Sequence, residues 1–264
     1  MDIALRLLGI GAWSPAFNDW PTLRAILRGE AAAAAAGSNK PAPTVLPAAE
    51  RRRAPETVLL AAQAAAEACA MAQCAAADLA CVFTSSQGDI AITDAMCAIL
   101  AAAPLEMSPT KFHNSVHNAP AGYWTIATQC RRASTALSAR EYSVGAGLLE
   151  AAIQALDQDA PALLVCYDSA ATGTGLQQMA PHASGFAAAF VLAPARYNAG
   201  RPLRLRRAPA GTPMTAWPPE SLTGLASNPS AAALVLLGAL AAESAIGVHL
   251  PASPGMMLAI DQLE

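Results

Sequence analysis

Lysine is almost missing from this sequence: of 16 basic residues only Lys40 and Lys111 are lysines. Charged residues of both signs fill 13% of the 264 positions, and the formal net charge is −3. With no basic stripe to neutralise phosphates, the chain is not expected to bind nucleic acid. Aromatics are scarce at 5%, so the core has to be built from close helix contacts with little bulky filling. No C-x-x-C pair occurs among Cys69, Cys74, Cys81, Cys97, Cys130 and Cys166, and none stands at zinc spacing from a second ligand. They read as small buried apolar residues of a cytoplasmic protein. Asp2 ahead of the first apolar run, and Arg6 within it, argue against a signal peptide. The charge-free stretch from Leu222 to Ala242 approaches the length of a membrane span. Ser227-Asn228-Pro229-Ser230 interrupts it and reads as the start of a buried helix, so no membrane span is expected. The chain also lacks a P-loop, a G-x-G-x-x-G after the first strand and a G-x-S-x-G corner. No cofactor is called for.

What the chain has is alanine, about a quarter of all residues, and 54% hydrophobic types overall. That apolar fraction with so little charge excludes disorder. The length suits one large domain or two small ones. Ile3 to Ala12 reads as a first strand, with Gly9 and Gly11 at a tight exit. Trp20 to Leu27 reads as a short helix, residues 29–55 as a covering loop, and Glu56 to Gln73 as a strong helix. Further along come a buried strand at Leu79 to Phe83, a helix at Ile92 to Ala103, and a bent segment from Asn114 to Gln129 behind a cap at Ser108-Pro109-Thr110. Strands are expected at Arg132 to Ala139, Ala162 to Tyr167 and Phe186 to Leu192. Pro202 to Arg207 reads as an edge strand with its arginines outward. A helix at Tyr142 to Leu156, opened by Gly145 and Gly147, suits very close packing. A Pro/Thr-rich loop at 208–226 precedes the last helix, to about Ser244, and two short strands close the chain. Alternating helices and apolar strands indicate an α/β protein with helices covering the sheet.

Two features carry candidate chemistry. His113 and His117 are four apart and would share a helical face, but no acid stands between them and no third ligand is in view, so structural hydrogen bonding is the reading. The strand–turn–helix corner from Ser134 to Gly147 places Glu141 at a helix N-terminus, where a carboxylate favours the helix dipole.

At this corner the chain resembles the N-terminal half of β-ketoacyl synthases, in the thiolase-like superfamily. Leu8-Gly-Ile-Gly-Ala-Trp-Ser-Pro15 is similar to the family's opening strand, and Phe83-Thr-Ser-Ser-Gln-Gly-Asp89 to the turn after the first long helix. Ser108 to Trp124 resembles the dimer-interface segment, Ser134 to Ala152 the nucleophile corner, and Leu163 to Ser169 and Gly185 to Leu192 the closing strands. The resemblance covers residues 1 to 205. It is nearest to the short chain-length factors found with aryl polyene gene clusters.

The resemblance implies a layered α-β-α thiolase-like fold. Residues 1–205 would form the ketosynthase N-terminal-like domain, and 206–264 a shortened C-terminal segment packed on it. It also places Glu141, to within about one residue, where active synthases carry the nucleophilic cysteine. A carboxylate cannot form the acyl thioester, and His249 is the only histidine after residue 205, where the family uses a pair. The implied role is a non-catalytic subunit that heterodimerises with a complete β-ketoacyl synthase, and through it meets acyl carrier protein. Phe112, Val116, His117, Asn118, Ala119 and Tyr123 are the residues implied at the partner interface and acyl tunnel. Two alternatives stay open: decarboxylation supported by Glu141, and a homodimeric acyl-binding protein without a partner.

Overall fold

The first strand, β1 (Asp2–Trp13), lies inside the sheet and not at its edge. The structure, a computed structural model, describes residues 1–34, 40–171, 184–216, 220–242 and 247–262. Its eight strands are β1, β2 (Ala80–Thr84), β3 (Ser134–Leu137), β4 (Ala162–Asp168), β5 (Phe186–Pro194), β6 (Arg201–Arg207), β7 (Gly247–Ser253) and β8 (Met256–Gln262), in the spatial order β3-β2-β4-β5-β1-β6-β8-β7. β3, β2 and β4 run parallel, and every later pairing is antiparallel.

β4 and β5 are buried at every position, as strands covered on both faces must be. Their side chains alternate between two cores. Leu163, Val165 and Tyr167 face α3 (Glu56–Ala72) and α6 (Ala119–Thr128); Leu164 and Cys166 face α7 (Ser143–Asp157), α8 (Ala233–Ala241) and α1 (Trp20–Leu27). The result is three layers, helix–sheet–helix. The remaining helices are α2 (Ala48–Arg53), α4 (Ile90–Ala102) and α5 (Pro109–Asn114).

Local chemistry explains the starts and stops. Asp19 caps α1 by accepting from the Thr22 N–H at 2.8 Å, with Pro21 in the first turn. Gln73 ends α3 in the left-handed region at φ 54°. Alanine serves α3 well, because the helix lies almost on the backbone of β1. A Cβ on Gly9 would come within 2.9 Å of the Ala72 Cβ, and one on Gly11 within 2.9 Å of the Ala68 nitrogen.

Several sequence expectations change here. Gly9 and Gly11 do not form a tight strand exit; they sit within β1 and admit α3. β6 is not an edge strand: it is paired with β1 on one side and β8 on the other. Its arginines do point outward, with Arg204 on Asp2 and Arg206 on Asp261. The strand expected over Arg132 to Ala139 is only Ser134–Leu137. The covering segment at 29–55 contains α2, and the loop at 208–226 contains a 3₁₀ turn at Glu220–Leu225. The expected extension of the last helix to Ser244 lies outside the described residues. Among the described residues, no helix is long and apolar enough to cross a membrane.

Candidate functional site

The corner after β3 is an elbow. Residues 138–139 leave the strand, Arg140–Tyr142 form a 3₁₀ turn, and α7 begins at Ser143. The sharp point is Arg140, a non-glycine residue at φ 55°, a conformation that costs an L-residue about 1–2 kcal/mol. Ser143 braces the turn: its hydroxyl accepts the Ala139 N–H at 3.0 Å and donates to the Arg140 carbonyl at 2.6 Å. The Thr84 hydroxyl at the end of β2 donates to the Ser143 carbonyl at 3.1 Å. Glu141 follows the strained residue and is exposed. Its contact with the Arg140 Nε is 3.9 Å between two exposed side chains, which contributes little. The elbow opens on a cleft of about 460 Å³, lined by Ser86, Gln87, Arg140, Glu141 and, from the C-terminal segment, Asn228 and Pro251.

Thiols are not available at this elbow. Cys166 is on β4 and fully buried, and burial pushes its pKa above the ordinary thiol range. Burial likewise pushes Cys69 up to about 12 and Cys81 up to about 11, so both stay protonated and unreactive at neutral pH. The buried Cys130 donates to the Leu79 carbonyl. Among the described residues no three His, Cys, Asp or Glu side chains converge as a metal site.

Beneath the cleft lies a buried polar cluster that sequence reasoning missed. Asp168, at the end of β4, is 1% exposed. Its carboxylate accepts from the Ser85 hydroxyl at 2.6 Å, the Ser86 N–H at 3.1 Å and the Ser230 hydroxyl at 2.7 Å. The Asn228 side-chain amide donates to the Asp168 carbonyl at 2.9 Å. The one available signal was an acidic residue closing an otherwise apolar strand.

The segment implied as a partner interface forms an arm of α4, a 3₁₀ turn at Pro104–Glu106, α5 and α6. Ser108 caps α5 through the Lys111 N–H, and the chain breaks at 115–118 before α6. His113 therefore lies in α5 and His117 beyond its end, so the two do not share a helical face. Phe112 is 60% exposed, Val116 48%, Ile126 81% and Leu105 fully exposed. In α4, whose sequence is almost wholly apolar, Ile90 alone is buried. Val116, Asn118, Ala119 and Tyr123 line one groove of about 400 Å³ with Gly122 and Ile126. The Tyr123 hydroxyl donates to Asn114 Oδ1 at 3.2 Å. His117 turns inward instead: its Nε2 lies 3.1 Å from the Ser85 carbonyl, which it can reach only as a donor. Phe112 stands outside the groove. Glu141 is not part of it.

Residues 27–242 match the family model for the β-ketoacyl synthase N-terminal domain. The chain belongs to the β-ketoacyl synthase family. Among solved structures it is similar to a chain of a ketosynthase in complex with its chain length factor from Xenorhabdus doucetiae. That match has 21% identity and a TM-score of 0.72, covering 98% of this chain and 99% of the other. It is also similar to the ishigamide ketosynthase/chain length factor, at 15% identity and TM-score 0.62, covering 78% of this chain and 67% of the other. A β-ketoacyl synthase from Burkholderia phymatum STM815 matches at 13% identity and TM-score 0.59, covering 89% and 71%. No curated protein matches the chain. At these identities the structural matches speak for the fold, which is that of a ketosynthase.

Proposed function

We propose that this chain is a chain length factor: a non-catalytic ketosynthase-like subunit that forms a heterodimer with a complete β-ketoacyl synthase. The observation that carries the reading is the arm. The almost wholly apolar helix α4 fully buries only Ile90 and exposes Leu100, and Leu105, Phe112, Val116 and Ile126 extend that surface along α5 and α6. Such a surface on an isolated subunit marks a protein contact. It adjoins β3, on which α6 packs and which among the described residues pairs with β2 alone, leaving main-chain groups of an edge strand for a partner to use.

The elbow supports the non-catalytic half of the reading. Arg140, Glu141 and Tyr142 supply no thiol, so acyl transfer falls to the partner. The groove formed by Val116, Asn118, Ala119 and Tyr123 would then help shape the partner's acyl tunnel, and acyl carrier protein would be met through the complex. Residues 1–205 act in this scheme as the ketosynthase N-terminal-like unit and 206–264 as its shortened complement. Aryl polyene or related polyketide extension in the cytoplasm is the setting we assign. Co-expression with a neighbouring complete synthase tests this: the two should purify as one complex of one copy each. Separate purification, with the synthase alone making product of normal length, overturns it.

A further inference from the structure

We infer that Ser85 and Asp168 form a buried relay that ties the partner-facing segment to the wall of the elbow cleft. The inference deepens the heterodimer reading and rests on it for the identity of the partner alone.

The relay has one end on the arm. His117 sits between exposed Val116 and exposed Asn118, and its Nε2 donates to the Ser85 carbonyl at 3.1 Å. The Tyr167 hydroxyl lies 3.4 Å from the His117 carbonyl. The middle is Ser85, fully buried, whose hydroxyl accepts the Gly88 N–H at 2.9 Å and donates to Asp168 Oδ1 at 2.6 Å. The other end is the C-terminal segment. Asp168 Oδ2 accepts from the Ser230 hydroxyl at 2.7 Å, and Asn228 donates both to the Asp168 carbonyl and to the Ser184 carbonyl at 2.9 Å. Asn228 in turn accepts the Ser230 N–H at 3.0 Å. Asn228 and Pro229 line the cleft opposite Ser86 and Gln87, and Ser138 fixes that opposite wall by donating to the Ser86 carbonyl at 2.8 Å.

The Ser85–Asp168 and Ser230–Asp168 links at the centre of the relay are short and buried, where hydrogen bonds to a carboxylate are stiff and costly to break. Three chain segments distant in sequence meet at one carboxylate: 85–86, 168 and 230. The 228–232 wall has only a 3₁₀ turn at Pro229–Ala232 ahead of α8, so these bonds hold it together with the packing of Ala231 in the core. Seating a partner on the arm fixes His117, and the relay carries that restraint to the wall. The wall of this subunit's cleft is thereby held more firmly when the complex is assembled.

Amide hydrogen exchange on the full chain tests this, with the amides of Ala64–Ala68 in α3 as an internal reference. In the isolated chain, Ser85→Ala and Ser230→Ala should each speed exchange at 228–232 by about tenfold while the reference amides keep their rate. On addition of the partner synthase, exchange at 228–232 should slow together with that at 116–120, and His117→Ala should abolish the slowing at 228–232. A wild-type rate at 228–232 in Ser85→Ala, or a complex that protects 116–120 but not 228–232, overturns the relay. A uniform rise that includes the reference amides also overturns it, since that is global destabilisation. If no complex forms, the heterodimer reading fails, and the isolated-chain comparison still decides whether the relay exists.

Discussion

Gly145, in the first turn of α7, rests on the main chain of Pro251 in β7: a Cβ placed on the glycine would lie 2.8 Å from the Pro251 carbonyl carbon. The helix that begins at the elbow and the hairpin made by the last strands are therefore in backbone contact. Two residues on, a Cβ at Gly147 would meet Thr84 Cγ2 at 2.8 Å.

Gly145→Ala should destabilise the protein by about 1–3 kcal/mol, the usual cost of overfilling a packed contact. The neighbour is main chain and cannot rotate away, so the upper part of that range is expected. Urea unfolding of the two proteins measures it. A change below 0.5 kcal/mol, roughly the size expected at an open surface site, would show that the contact is looser than described.

Phe112→Glu and Val116→Glu should leave the isolated subunit as stable as wild type, because both side chains are exposed. Each should weaken the complex with the partner synthase by about 2 kcal/mol, a roughly thirtyfold loss of affinity. Titration by light scattering or native mass measurement gives the number. Unchanged binding in both variants would move the interface off the arm.

Glu141→Ala should leave the product yield of the assembled complex within a factor of about two, since catalysis by a lone general acid or base is worth far more than that. Product yield and chain length under identical carrier-protein supply are the measurements. A hundredfold fall in yield would return chemistry to this elbow.

Glu67 gives the stability a pH dependence of known sign. Its carboxylate accepts the Ala12 N–H at 2.9 Å and the Trp20 N–H at 2.7 Å, tying α3 to the end of β1 and the start of α1. Burial outweighs these bonds and pushes its pKa up from 4.5 to about 7. Between those values the folded state holds a proton that the unfolded chain releases. Stability from this group is thus fully present below about pH 4.5 and is lost as pH rises through 7. Glu56, raised mainly by burial, acts in the same sense. Denaturant unfolding at pH 5, 6 and 8 should show falling stability. Glu67→Gln should reduce that slope without removing it, and should cost about 1 kcal/mol at pH 5 for one acceptor lost.

Most of the secondary structure was legible in the sequence because period and caps agree. Trp20 to Leu27 reads as a helix from its cap and its spaced Trp20, Leu23 and Ile26, all buried. The unbroken apolar runs of β4 and β5 declare strands covered on both faces. Pairing is where pattern failed. Alternating arginines in Pro202 to Arg207 look the same on an edge as in a paired strand, and only the acids Asp2 and Asp261 on the neighbouring strands distinguish the two. Exposure in α4 is not legible either, because an apolar helix reads alike whether its face is covered or open. The elbow was legible as a strand–turn–helix corner. Asp168 was not, because its partners Ser85, Asn228 and Ser230 are small polar residues at long sequence distance, and no spacing announces them.

The place of β1 has a consequence for how the subunit is made. Residues 2 to 13 are made long before their two neighbours in the sheet, residues 187–194 and 201–207. Until residues 187–194 have been synthesised this apolar strand has neither edge satisfied, and the second edge waits for residues 201–207. Pairings of such long sequence separation form slowly and leave unpaired strands open to aggregation meanwhile. The nascent chain is most vulnerable during the interval when β2, β3 and β4 can already pair and the strand destined for the interior of the sheet still waits.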